Sequence, residues 1–177
     1  MNADVSARLA WPSDAAAMAR IQIAAWRQDY VGILPTEVLL GLKAEPFTES
    51  WEAALTTPQD ARMRVLVALE RATVRGFALV HPCMDPDADP IKDSEVGEFV
   101  IDPLHRRAGH GSRLLQACVD TLIADKFDRG LWWVGAGNDV LREFVTGTGW
   151  EADGAHRELA SETGETLKQI RLHTSLT

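Results

Sequence analysis

The chain is poor in several residue types, and each shortage closes off a class of function. Basic residues are outnumbered: 18 Lys and Arg stand against 26 Asp and Glu, a formal net charge of −8. Broad nucleic-acid binding needs a surplus of cations against phosphate, so that partner is not expected. A cationic substrate such as an amine is compatible with the negative field. Only two cysteines occur, Cys83 and Cys118, far apart and without CxxC spacing, so no disulfide framework is expected. His105 and His110 stand five apart, and His81 and Cys83 two apart; neither spacing completes a four-ligand zinc pattern, and no metal is expected. No run approaches about 18 consecutive apolar residues, which argues against a membrane span. The opening MNADVSARLAWP has no basic n-region and no apolar h-region, so the expected location is cytoplasmic. No Pro/Gly/Ser-rich linker, repeat or low-complexity block divides the 177 residues, and a 46% hydrophobic content suits one domain over 1–177.

What is present is a regular alternation of apolar patterns. Val5 to Ala10 reads as a strand stopped by Pro12, with Ser13 as a candidate N-cap and Asp14 in the first turn of a helix to about Asp29. Met18, Ile21 and Ala25 recur on one face of that helix. Gly32 to Pro35 breaks it, a second helical piece runs through Leu42, and a third spans roughly Thr48 to Leu55. Arg62 to Glu70 alternates as a strand and turns at Arg71 and Ala72 into Val74 to His81, an antiparallel hairpin. A proline- and acid-rich loop, Pro82 to Glu95, then leads into a strand ending at Ile101. A helix to about Asp125 follows, with Leu114, Leu115, Cys118, Val119, Leu122 and Ile123 on its apolar face. Leu131 to Val134 has the continuous apolar run of a buried central strand. Asn138 to Thr146 reads as a short helix and Leu167 to His173 as a last strand, with a further strand near Trp150. The expected class is α/β or α+β, helices covering a sheet.

The most informative stretch is Glu98 to Leu115. A strand ends near Pro103, a basic glycine-containing loop follows, and an amphipathic helix begins near Gly109. Free amides and the positive dipole end at a helix start, close backbone approach at Gly109 and Gly111, and the charges of Arg106 and Arg107 together suit a diphosphate. A P-loop would need GxxxxGK, and no Lys occurs here. A dinucleotide fingerprint would need a third glycine where Leu114 stands. What remains is Arg106-x-x-Gly109-x-Gly111 directly after a strand ending in Asp-Pro.

That pattern resembles the Gln/Arg-x-x-Gly-x-Gly/Ala signature of the GNAT-type N-acetyltransferase superfamily. Its companions resemble the family in order along most of the chain: Arg8-Leu-Ala-Trp-Pro-Ser-Asp-Ala, then Trp26-Arg-x-x-Tyr30-x-Gly32-Ile-Leu-Pro35, then Asn138 followed by Phe144 and Gly149-Trp150. The resemblance implies a GNAT fold, with a mixed sheet of six to seven strands, about four flanking helices and splayed central parallel strands. It implies acetyl-CoA as donor, with the backbone of Phe99, Val100 and Ile101 along the pantetheine near a strand bulge. The loop Arg106, Arg107, Ala108, Gly109, His110, Gly111 and Ser112 would lie on the pyrophosphate, and Asn138 beside the pantetheine or sulfur. Family habit implies a homodimer.

In the implied reaction an amine of a small molecule or peptide attacks a thioester, which asks for a base, oxyanion stabilisation and an acid. Glu98 is the candidate base, expected to share a face with Val96 and Val100 and to have a raised pKa among apolar neighbours; the alternative is a solvent-facing or arginine-paired carboxylate. The family often places a Tyr acid directly after the motif's Phe, but Val145 stands there. Tyr30, the only tyrosine, is left as acid or as acceptor-pocket lining. A thiolate with a pKa near ~8.5 can also take its proton from solvent. Trp26, Arg27, Tyr30 and the acids of Asp85 to Asp93 are candidates to frame the acceptor site, against core packing for Trp26 and simple solvation for the loop acids. Of Trp132 and Trp133, one is expected in the core and the other near the cleft. A non-catalytic acyl-CoA sensor and an enzyme using a longer acyl-CoA remain as alternatives.

Overall fold

A computed structural model describes residues 4–177. In chain order the elements are β1 (Val5–Leu9), α1 (Ala15–Asp29), α2 (Thr36–Leu40), α3 (Ala44–Thr56), β2 (Arg64–Glu70), β3 (Thr73–Pro82), β4 (Asp93–Ile101), α4 (His110–Ala124), β5 (Arg129–Gly135), α5 (Asp139–Thr146), β6 (Glu151–Ala160) and β7 (Thr166–Ser175). Seven strands form one sheet in the order β1-β2-β3-β4-β5-β7-β6. All neighbours are antiparallel except β4 and β5, which are parallel because α4 returns the chain between them. The five helices are those read from the residues, one more than the family resemblance implies, and the strand foreseen near Trp150 is the ten-residue β6.

The sheet is covered on both faces, and each face has its own core. On one side α4 lays Leu114, Leu115, Cys118 and Leu122 against Ala68, Ala78, Val80, Val96, Trp132 and Val134. On the other, Met18, Ile21 and Ala25 of α1 and Trp51 of α3 meet Val65, Val67, Phe77 and Val100. The helical spacing read in α1 therefore marks its core face. In α4 the stripe is narrower than expected: Ile123 at its margin is 45% exposed. Between α1 and α3 the buried Trp51 indole donates to Gln22 Oε1 at 2.7 Å, so neither buried polar group lacks a partner.

Three local expectations are corrected. Ser13 makes no cap; instead the Asp14 carboxylate accepts from the Trp11 amide at 2.7 Å and from Arg8, fixing the entry to α1. α3 begins at Ala44, four residues before the expected start, because Pro46 sits in its first turn, where its missing N–H costs nothing. The acids of the β3–β4 loop are not merely solvated. Asp85 and Asp87, with Asp153 from β6, surround the buried Arg171 guanidinium of β7 at 2.6–3.0 Å, and Asp93 pairs with Arg129 of β5 at 2.9 Å. This loop clamps the β3–β4 connection onto β5 and β7.

Candidate active site

Two features of β4 set up the site. The first is its edge toward β5. The parallel pairing runs only from Asp93–Arg129 to Val96–Trp132, yet β4 continues to Ile101 and β5 to Gly135. β5 stays fully paired with β7 to its end, and β4 with β3, so the two central strands part as a wedge beyond Val96. Phe99, Val100 and Ile101 border this wedge with a backbone edge that has no strand partner on the β5 side.

The second feature is a bulge. Leu79 of β3 faces Glu98, but the next residue, Val80, faces Val96, leaving Gly97 as an extra residue in β4. A Cβ at Gly97 would lie 2.6 Å from His81 Nε2, so a larger residue would have to displace the His81 ring. The bulge corrects the expected pleat. Val96 lies in the α4-side core and Val100 in the α1–α3 core, so Glu98 shares a face with Val100 and not with Val96. In an unbroken strand Glu98 would lie under α4; with the bulge it faces α1 and α3.

There Glu98 is half-buried and, among the described residues, makes no ion pair. Loss of hydration pushes its carboxyl up to about 7. It lines a cleft of about 580 Å³ between α1, α3 and the sheet, with Gln22, Phe47, Ser50, Trp51 and Met63 on its walls. Tyr30, at the C-terminal end of α1, is near enough that Glu98 and Asp29, after burial itself, raise its phenol pKa. Trp26 packs edge-on between Tyr30 (5.6 Å) and Phe47 (5.4 Å), joining the two helices beside the cleft. A smaller cavity of about 200 Å³ lies on the other side of Tyr30, toward the β6–β7 hairpin.

At the opposite end of the wedge lies the α4 loop. Asp102 accepts from Leu104 N and starts a 3-10 turn, Pro103–His105. Arg107 (φ 61°) and Gly109 (φ 88°) both have left-handed backbones, and Gly109 is the N-cap of α4. Such alternation turns successive N–H groups into a concave anion-binding nest. The first helical bond is Arg113 N to Gly109 O, which leaves the amides of His110, Gly111 and Ser112 without helix partners. Gly111 lies under Phe144, whose ring would be 3.4 Å from an added Cβ.

The side chains predicted for this loop divide. Arg107, Ala108 and Ser112 point outward or lie at the surface. Arg106 instead grips Asp29 with both terminal nitrogens (3.0 and 2.9 Å), tying the loop to α1. His110 is turned inward and is 1% exposed, with neither ring nitrogen hydrogen-bonded among the described residues. Burial pulls its pKa down, so its contribution to the loop's outer surface is its backbone amide. Asn138 accepts from Leu141 N at 3.2 Å as the cap of α5. Val145 is fully buried. Arg27 is committed to the carbonyls of Leu39, Leu40 and Leu42 and does not frame the cleft. Of the tryptophan pair, Trp132 is core; Trp133 lies on the other face beneath Arg157, its N–H bonded to Asp85.

Phe47, Ser50, Trp51 and Met63 carry no signal in the sequence that would single them out. Phe47, Trp51 and Met63 have the pattern of ordinary core positions and Ser50 that of an exposed helix position, and only packing shows that they surround space. Cys83, Asp85 and Glu95 bring potential ligand atoms within 4.8 Å of one another. Asp85 is already bonded to Trp133 and Arg171, and burial pushes the Cys83 thiol up to about 12, away from the thiolate a metal prefers. No helix among the described residues is long and apolar enough to cross a membrane.

The split sheet has counterparts in solved structures. The chain superposes on yncA from Salmonella typhimurium, determined with its cofactor acetyl-CoA, at a TM-score of 0.74 and 18% identity, covering 99% of this chain and 95% of that one. The PaiA N-acetyltransferase of Thermoplasma acidophilum in complex with coenzyme A gives 0.75 at 14% identity, covering 97% and 98%. The ribosomal-protein-alanine N-acetyltransferase of Brucella melitensis gives 0.71 at 21%, covering 96% and 98%. Among curated proteins none matches. At these identities the superpositions establish the GNAT fold, and membership comes from the sequence itself. Residues 23–150, from α1 through the bulged strand and the α4 loop to Trp150, match the model of the Acetyltransferase (GNAT) family, and the chain belongs to that family.

Proposed function

We propose that the protein transfers an acetyl group from acetyl-CoA to a primary amine. The observation that carries this reading is the placement of Glu98: the Gly97 bulge turns an unpaired carboxylate into a cleft beside the point where β4 and β5 part. The residues present suit the donor. The unpaired β4 edge at Phe99, Val100 and Ile101 fits an amide-bearing pantetheine arm. The nest from Arg107 to Ser112, with the α4 dipole behind it and the Arg107 guanidinium at its rim, fits a diphosphate. Asn138, at the start of α5 after β5, borders the far side of the wedge. Arg106 acts by fixing the loop to Asp29.

Acetyl-CoA supplies a reactive thioester; the chain supplies position and proton handling. Glu98, with its pKa near 7, is matched to accept the proton of an ammonium at neutral pH. Tyr30, with a raised pKa, keeps its proton and can donate it, or it lines the acceptor pocket. Val145 has no proton to give, and a thiolate leaving group tolerates protonation by solvent. Holding two reactants on either side of one strand removes most of the entropic barrier to their encounter.

The test is thiol release. With acetyl-CoA and a panel of primary amines, DTNB should report CoA formation that depends on both amine and protein. Tight CoA binding by calorimetry with no release for any amine would overturn the reading in favour of a sensor.

A further inference from the structure

We infer that the acceptor is a monoamine carried on an uncharged, largely apolar body, such as an arylalkylamine, and not a zwitterionic amino acid, a polyamine or a peptide terminus. This rests on the transferase reading above and concerns what the cleft selects. The 580 Å³ cleft has room for a ligand of that size, and its walls hold aromatic and thioether surface (Phe47, Trp51, Met63), neutral polar groups (Ser50, Gln59) and one charge, Glu98. Among the described residues no Lys or Arg lines it. The smaller cavity beyond Tyr30 repeats the pattern, with Ile33, Leu34, Leu159 and Leu167 on its walls and Glu165 as its one charge.

The nearby cations are turned elsewhere. Arg62, beside Met63, donates to the carbonyls of Pro90 and Ile91 at 2.8 and 3.0 Å and stacks on Phe127. Arg27 is held by the carbonyls of Leu39 and Leu42, and Arg106 by Asp29. Lys43, exposed at the start of α3, is not among the lining residues. An acceptor carboxylate entering either cavity would lose its hydration, meet no counter-cation and face a like charge at Glu98 or Glu165. A second ammonium would fare little better. Glu165 already accepts from Ser161 and Thr163, so one carboxylate is left to meet one amine. The apolar walls reward a hydrocarbon or aromatic body.

The test uses matched ligands. Phenethylamine, L-phenylalaninamide and L-phenylalanine share one ring and one amine, and only the last is anionic beside the amine. In thiol-release assays kcat/KM for phenethylamine should exceed that for L-phenylalanine by about 30-fold or more, as expected for a desolvated charge without a partner. L-Phenylalaninamide should fall close to the former. Calorimetric titration of the same three amines into the CoA-saturated protein should give the same order. Gln59→Arg, which adds a cation at the exposed rim, should narrow the ratio about tenfold by improving L-phenylalanine. Comparable binding of L-phenylalanine and phenethylamine would overturn the inference, as would faster turnover of spermidine or of an alanine-terminated peptide. Selective binding of phenethylamine without any thiol release would support the cleft's selectivity and overturn the transferase reading instead.

Discussion

The two sides of β4 serve one proposed reaction with different materials. The donor side is made of backbone: an unpaired strand edge, two left-handed residues and the free amides of α4. The acceptor side is made of side chains contributed by α1, α3, β3 and β4, arranged around a single carboxylate. Gly97 is the joint between them, since the same extra residue lies where β4 leaves β5 and turns Glu98 toward α1 and α3. A backbone site tolerates side-chain change as long as its dihedral angles are kept. A side-chain site can be re-specified one residue at a time while the donor side stays as it is.

This contrast can be tested by mutation, and the largest effect is expected at Glu98. Glu98→Gln should lower kcat/KM by about 10² to 10⁴, the range for a lost general base, while the Kd for acetyl-CoA stays within a few-fold. The pH profile gives the sign. The base works when deprotonated, so wild-type kcat/KM should rise with pH through an apparent pKa near 7, and that limb should vanish in the variant. Unchanged turnover at every pH would remove Glu98 from the mechanism.

On the donor side the sensitive position is Gly109, held at φ 88°. Gly109→Ala puts a Cβ on a left-handed residue, at about 1–2 kcal/mol. The KM for acetyl-CoA should rise about tenfold with kcat nearly kept, the reverse of the Glu98 pattern; a kcat defect at saturating donor would blur the division between the two sides. Smaller still is the Arg106–Asp29 pair, which is partly exposed and therefore worth about 1 kcal/mol or less. Arg106→Ala and Asp29→Ala should each raise the KM for acetyl-CoA by up to about fivefold, and the double variant should do no worse than either alone. Additive losses would show that Arg106 touches the donor directly.

The smallest effect is on stability. Burial lowers the pKa of His110, so the folded protein resists protonating it while the unfolded chain takes up a proton as the pH falls below about 6.5. Its contribution to stability is therefore present above that pH and is lost progressively below it, toward the depressed folded value. In His110→Leu the fall in Tm between pH 7.5 and 5.5 should be smaller than in the wild type. An identical fall would mean that another group governs acid sensitivity.

Much of this is legible in the residues. The order of elements, the core faces of α1 and α4 and the glycine-containing turn into α4 follow from short-range rules of periodicity, capping and glycine placement, all of which act within a few residues of chain. Other features escape such rules because their causes are distant. The acidic loop reads as a solvated segment until Arg171, some 85 residues away, supplies its partner. Arg106 and Asn138 are assigned to the donor from their motifs, whereas their side chains also meet local structural needs, at Asp29 and at the α5 cap.

Residue order alone is enough to place a strand, a left-handed basic loop and a helix start in succession, because glycine dihedral freedom and helix-end amides are local properties. The direction in which Glu98 faces is a matter of three-dimensional packing. The count of residues in β4 is the same with or without a bulge; the bulge is a property of the β3–β4 register, and the His81 ring packs against the glycine that occupies it. Packing also makes Phe47, Trp51 and Met63 the lining of a cleft, because burial around empty space depends on where two helices and a sheet come to rest against one another, and no spacing along the chain records it.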